Sequence, residues 1–184
     1  MNDFRLYRFS PIHSREELVN AVNYIHLACH TLCKDSFGKY LPVAGNVGIF
    51  CHYDDEFKLL MNIRNQLTEP SDNPELKYFT LLEPIIIPAK DDISEARYTH
   101  LYIRRPDPYR SQVGDIDFYL PQEDYTTLKM EMIQGRKVFG ARVFERPDLD
   151  MIELFNPDVD ALAYVSTNIM TEKVRIKLSD ATKL

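Results

Sequence analysis

All three cysteines of this 184-residue chain, and three of its five histidines, fall between positions 26 and 52. His26, Cys29, His30 and Cys33 are placed so that, on a helix, the last three lie three, four and seven residues beyond the first and share one side. Imidazoles at i and i+4, or imidazole–thiolate mixtures, can reach one metal ion. Cys51, next to His52, could add a ligand from a following strand. The zinc set this spacing suggests is His26, Cys29, His30, Cys33 and Cys51. Against it stands plain packing: Cys29 also lies on an apolar helical stripe, and free cysteine is among the most often buried residues. The two-ligand knuckle of structural zinc sites is missing. Cys51 near His52 and Asp54 also has the residue types of a nucleophile pair.

A second set is spread over two alternating segments. His100, Tyr102 and Arg104 share one side of residues 98–105, and Asp115, Asp117 and Tyr119 share one side of residues 113–120. The two segments read as a hairpin with a long tip, Arg105-Pro106-Asp107-Pro108-Tyr109-Arg110. If both polar sets face the same way, Arg104 and Arg110 can bind an anion. Asp115 and Asp117 can then hold a divalent cation or act as base, and His100 can carry protons near neutral pH. A one-residue slip separates the sets, and local sequence does not fix the register. The plainer reading is a solvated face of cross-strand ion pairs, each worth a few tenths of a kcal/mol. The Tyr/Arg-rich loop 105–110 also suits a protein partner, because those residues dominate interface hot spots.

Other motifs are weaker. Asp148, Asp150, Glu153, Asp158 and Asp160 form an acidic run, but it lacks the glycine and terminal glutamate of an EF-hand. Gly45-Asn46-Val47-Gly48 is glycine-rich without the Lys-Ser/Thr of a phosphate loop. No Gly-x-Ser-x-Gly elbow occurs.

The elements that must position these residues follow from periodicity. Ser14 and Glu17 make a capping box. Leu18, Val22, Ile25, Cys29 and Leu32 then trace one face of a helix over 15–37, ended by Gly38. A second helix of about twelve residues starts at Asp54 or Asp55. A third follows Pro121, with Glu123 and Asp124 near its positive end. Strands are expected at 4–9, 47–53, 76–87, 98–105, 113–120, 138–144, 151–155, 161–165 and 173–178. Residues 70–74, Pro-Ser-Asp-Asn-Pro, are a polar break rather than a domain boundary. The expected fold is one α+β domain over residues 1–184, a mostly antiparallel sheet covered by about three helices.

Composition bounds the function. The net charge of −6 disfavours broad nucleic-acid or anionic-membrane binding. An odd cysteine count fits reduced thiols and a cytoplasmic location. No apolar run reaches the ~20 residues of a membrane-spanning helix, and the first residues lack a signal-peptide core. The residues point first to a small enzyme acting on a phosphate-bearing or otherwise anionic small substrate, with divalent-metal assistance as one form of it. The alternatives are an interaction module using loop 105–110 and a zinc-binding protein using the 26–52 cluster.

Overall fold

The computed structural model describes residues 6–146 and 148–177. Its elements are α1 (Arg15–Phe37), β1 (Val43–Phe50), α2 (Asp54–Leu67), β2 (Phe79–Ile87), β3 (Ala96–Arg104), β4 (Gly114–Tyr119), α3 (Gln122–Ile133), β5 (Ala141–Arg146), β6 (Leu149–Leu154), β7 (Ala161–Ser166) and α4 (Asn168–Lys173). The seven strands form one sheet in the order β2-β3-β1-β4-β7-β6-β5.

The helix starts and stops obey local chemistry. Ser14 Oγ accepts from the Glu17 amide at 3.1 Å and Glu17 accepts from the His13 amide at 2.7 Å. Gly38 ends α1 at φ +70°, a conformation that costs glycine nothing. The stripe Leu18, Val22, Ile25, Cys29 and Leu32 is buried as its spacing requires. It packs in one core with Val47 and Ile49 of β1 and Ile116 and Phe118 of β4. α2 is capped from inside: Glu56 reaches back and accepts from the His52 amide at 2.8 Å and the Ile12 amide at 2.9 Å.

Several expectations are corrected. The sheet is mixed, not mostly antiparallel: β1–β3 and β4–β7 pair in parallel, whereas β1–β4, β2–β3, β5–β6 and β6–β7 are antiparallel. Among the described residues there are four helices, not three. The fourth, α4, is short and starts where Thr167 Oγ1 accepts from the Met170 amide. It ends on Lys173, the first residue of the segment expected as a last strand; in the described part of that segment Ile176 forms a bridge, to Leu76, and Leu178 lies outside the described residues. Finally, 98–105 and 113–120 are not a hairpin, because β1 lies between β3 and β4. The proline-rich connection passes over the end of β1, where the Phe50 amide bonds to Val113 O and the Cys51 amide to Arg104 O. Residues 6–9 are bends rather than strand, and Phe4 and Arg5 lie outside the described residues.

Candidate functional site

Alternation sends Val47, Ile49, Ile116 and Phe118 toward the apolar core. It leaves Asn46, Gly48, Asp115 and Asp117 on the opposite side. Pairing then assembles a polar row across the whole sheet. Thr80 of β2 pairs with His100 of β3, and His100 with Asn46 of β1. The Asn46 amide donates to Asp117 Oδ2 of β4 at 2.7 Å. Asp117 pairs with Tyr164 of β7, Tyr164 with Glu153 of β6, and Glu153 with Arg142 of β5, whose guanidinium reaches Glu153 Oε1 at 2.6 Å. A shorter second row runs Tyr102, Gly48, Asp115, Leu162. The two sets named from sequence therefore face the same way, with β1 inserted between them.

A roof closes over Asn46. The Lys77 and Tyr78 amides donate to Arg175 O, and the Lys177 amide donates to Glu75 O. Arg175 Nε donates to Asn46 Oδ1 at 2.9 Å, and Asn46 Nδ2 also donates to Thr171 O of α4. Every polar group of the Asn46 amide is thus used. Beneath the roof Asp115 and Asp117 are 8% and 4% exposed.

Gly48 makes the room for Asp115: a side-chain carbon at 48 would overlap Asp115 Oδ1. That oxygen is buried without a hydrogen-bond partner among the described residues, an arrangement that is costly unless something else compensates it. The compensation is charge. Burial raises the Asp115 pKa, and Lys77, Arg104 and Arg110, with the Gly48 backbone N–H on the carboxyl as a smaller contribution, oppose the rise. Asp117 is pushed up to about 7, first by burial and then by the Asp115 charge, against the Asn46 hydrogen bond, Lys77 and Arg175. Burial also raises the phenols of Tyr78, Tyr102 and Tyr164. His100, bonded through Nδ1 to Thr99 Oγ1 at 2.9 Å, is held down at about 4 by burial and by Arg175. At neutral pH it is an uncharged imidazole, and the group titrating near 7 is Asp117.

The end of β3 opens into a groove of about 720 Å³ between α2, residues 73–79 and loop 105–109. Tyr102, Arg104 and Lys77 belong both to its wall and to the surroundings of Asp115. Arg104 is tied to Asp107 at 2.9 Å, and Tyr109 at the lip is 93% exposed.

The zinc set lies elsewhere and is differently employed. His26 is 0% exposed and His30 is buried. His26 Nδ1 shares a 2.8 Å hydrogen bond with the Tyr98 hydroxyl, and His30 Nδ1 donates to the His26 carbonyl at 2.9 Å. Cys29 Sγ donates to Leu162 O and Cys33 Sγ to Lys39 O. Burial raises the Cys29, Cys33 and Cys51 thiols, so they stay protonated at neutral pH, whereas a metal ligand must be a thiolate. No group of three or more His, Cys, Asp or Glu is arranged to hold a metal among the described residues. Asp115 and Asp117 are accordingly faced by cationic side chains rather than by further acidic ligands. The acidic run also disperses: Asp148 pairs with Lys173, Asp150 with Lys129, Glu153 with Arg142 and Asp160 with Arg8.

His52 is fixed by Ser10, whose Oγ lies 2.6 Å from its Nδ1, and by Tyr7 stacked at 3.9 Å. Ser10 is buried, so this pair fastens the N-terminal segment onto the start of α2. Sequence reasoning missed Asn46, Lys77, Tyr78, Glu153, Tyr164 and Arg175 as parts of the polar face. A signal existed for two of them: Asn46 and Glu153 are polar positions inside otherwise apolar strands.

No family model matches the chain, and no curated protein matches its sequence. Among solved structures it is similar to a structural-genomics target, Protein EC4020, with TM-score 0.52 and 13% identity over 94% of this chain and 97% of that one. That likeness shows a shared fold. Weaker likenesses are to a Streptomyces coelicolor methylmalonyl-CoA epimerase variant in complex with 2-nitronate-propionyl-CoA (TM-score 0.32, 16% identity, 68% of this chain and 98% of that one). A methylmalonyl-CoA epimerase in complex with methylmalonyl-CoA and NH4+ gives TM-score 0.29 and 18% identity over 68% of this chain and 95% of that one.

Proposed function

We propose that the chain is a small acid–base enzyme acting on an anionic small substrate that enters by the groove at the end of β3. The observation that carries this reading is the unpartnered, buried Asp115 Oδ1 in the space left by Gly48, facing Lys77, Arg104 and Arg110. Two carboxyl groups in one site with environments that push them apart are the usual basis of an acid–base assignment. Here Asp117, raised to about 7, carries the exchangeable proton, and Asp115, whose own rise Lys77, Arg104 and Arg110 oppose, is the carboxyl beside it. Arg104 and Arg110 hold the substrate anion, and the reaction class is proton transfer to or from that substrate. His100 serves as a fixed neutral neighbour of Asn46 rather than as the shuttle. With cations already facing both carboxylates, the reading requires no divalent ion at Asp115 and Asp117.

The test is a carbon-NMR titration of the aspartate carboxyl groups. Asp117 is expected to titrate near 7, and Asp115→Asn is expected to lower its midpoint by removing the like charge. An ordinary carboxylate midpoint for both groups in the native chain would overturn the reading. A second reading keeps loop 105–110 as a docking tip for a protein partner. It is favoured by the near-complete exposure of Tyr109 and is separated from the first by Tyr109→Ala, which would abolish partner capture and leave the Asp117 titration unchanged.

A further inference from the structure

The groove at the end of β3 has a chemistry of its own. Arg64, Lys77, Arg104, Arg105 and Lys177 line it, against one carboxylate, Asp107, which Arg104 already neutralises. The whole chain carries −6, so this local excess of positive charge runs against the overall balance. No carboxylate pairs with Arg64, Lys77 or Arg105 among the described residues, and Arg64 Nε is buried without a hydrogen-bond acceptor. The cationic heads are also laid on rings. Arg105 Cζ sits 4.8 Å above Phe57, Arg64 Cζ 3.7 Å above Phe79, and Lys77 Nζ 4.9 Å from the Tyr102 ring centre. A guanidinium resting on a ring keeps its outer face free to stack a second flat group, while its N–H edge stays free for an anion. Tyr109 supplies another free aromatic face at the lip.

We infer that this groove binds a flat heteroaromatic ring bearing a phosphate, a ligand of the size and charge of a nucleoside monophosphate. The inference rests on the proposed reading for its position at the entrance to Asp115 and Asp117, and it names the substrate class. A phosphate fits better than a single carboxylate because its two charges and three acceptor oxygens engage several cations together. The volume of about 720 Å³ lies within the range of small-molecule sites. Stacking of a base on an aromatic or guanidinium plane is worth about 1–3 kcal/mol, enough to separate a nucleotide from its bare phosphate.

The experiment is titration calorimetry of the full chain with adenosine 5′-monophosphate, adenosine and inorganic phosphate in parallel. The monophosphate is expected to bind at least about tenfold more tightly than either fragment, consistent with that stacking contribution, and to weaken as salt is raised. Arg105→Glu, an exposed position, is expected to abolish binding without unfolding the chain. Tyr109→Ala is expected to narrow the gap between the monophosphate and inorganic phosphate. Equal binding of monophosphate and phosphate, or binding indifferent to Arg105→Glu, would overturn the inference. Its failure is distinct from failure of the acid–base reading. With no nucleotide bound and Asp117 still titrating near 7, only the ligand class falls. With nucleotide bound and Asp117 titrating as an ordinary carboxylate, only the acid–base role falls.

Discussion

Both faces of the sheet bury reactive side chains, imidazoles and thiols on one and carboxyls on the other, and use them in opposite ways. On the α1 face, His26, His30, Cys29 and Cys33 sit among Leu18, Ile25, Val47 and Phe118. Their short hydrogen bonds go to neighbouring carbonyls and to Tyr98. On the other face, Asp115 and Asp117 are as deeply buried, yet cations ring them and one oxygen of Asp115 lacks a partner. Proximity in sequence gathered the first set, and sheet pairing gathered the second. The difference teaches that a dense local cluster can be absorbed by packing, whereas groups brought from separate strands to one polar row keep unspent electrostatic strain. Such strain is what a ligand can relieve.

The largest effect that separates the faces is on packing. Ile25 is fully buried, and its Cδ1 fills the space beside Gly114. Ile25→Ala is expected to lower stability by about 3 kcal/mol, the range for an aliphatic cavity, as read by urea unfolding. The Asp117 midpoint should not move. A shift in that midpoint would show that the two faces are coupled through β4 and break the comparison.

Next in size is an opposition in pH dependence. His26 falls from 6.5 to about 4 in the folded chain because burial and His30 disfavour its charge. Its contribution is intact above 6.5 and is lost as the pH drops toward 4. Asp117 rises from 3.8 to about 7. Its contribution is intact below 3.8 and is lost as the pH climbs through 7. Each spans on the order of 3–4 kcal/mol, and the slopes have opposite signs. Unfolding midpoints between pH 4.5 and 7.5 should therefore fall less steeply on the acid side in His26→Gln. In Asp117→Asn they should rise more steeply with pH. A change of the same sign in both variants would contradict the assignment of one titrating group to each face.

How much of this was legible follows from where the information resides. α1 was readable because each of its signals is local: the Ser14–Glu17 cap, the three- and four-residue spacing of the apolar stripe and the stop at Gly38. The polar sets of β3 and β4 were readable as alternation, which is local as well. The insertion of β1 between them was not, since neighbours in a mixed sheet are chosen by tertiary packing. The row from Thr80 to Arg142 needs six strand registers at once, together with the shift between Val43 and Val47 that brings Asn46 opposite Asp117. No local pattern encodes that shift. α4 escaped for a different reason: six residues and one threonine cap give too little periodicity to distinguish a helix from a turn.

The smallest and most discriminating change is Gly48→Ala. The added methyl would overlap Asp115 Oδ1 and also meet the Phe50 ring at 3.6 Å. Overpacking of a filled interior typically costs about 1–3 kcal/mol. This case belongs near the lower end, because the obstacle is the end of a side chain rather than backbone. Asp115 must turn its carboxyl off Gly48 to make room. Asp117 then loses part of the repulsion that raised it. Its carboxyl midpoint is expected to fall by about half a pH unit, a differential interaction of roughly 0.7 kcal/mol. The α1 face should register none of this, and the His26 ring signals should stay in place. An unmoved Asp117 midpoint would mean that burial alone sets it, and that the glycine at 48 serves only the close approach of β1 to β4.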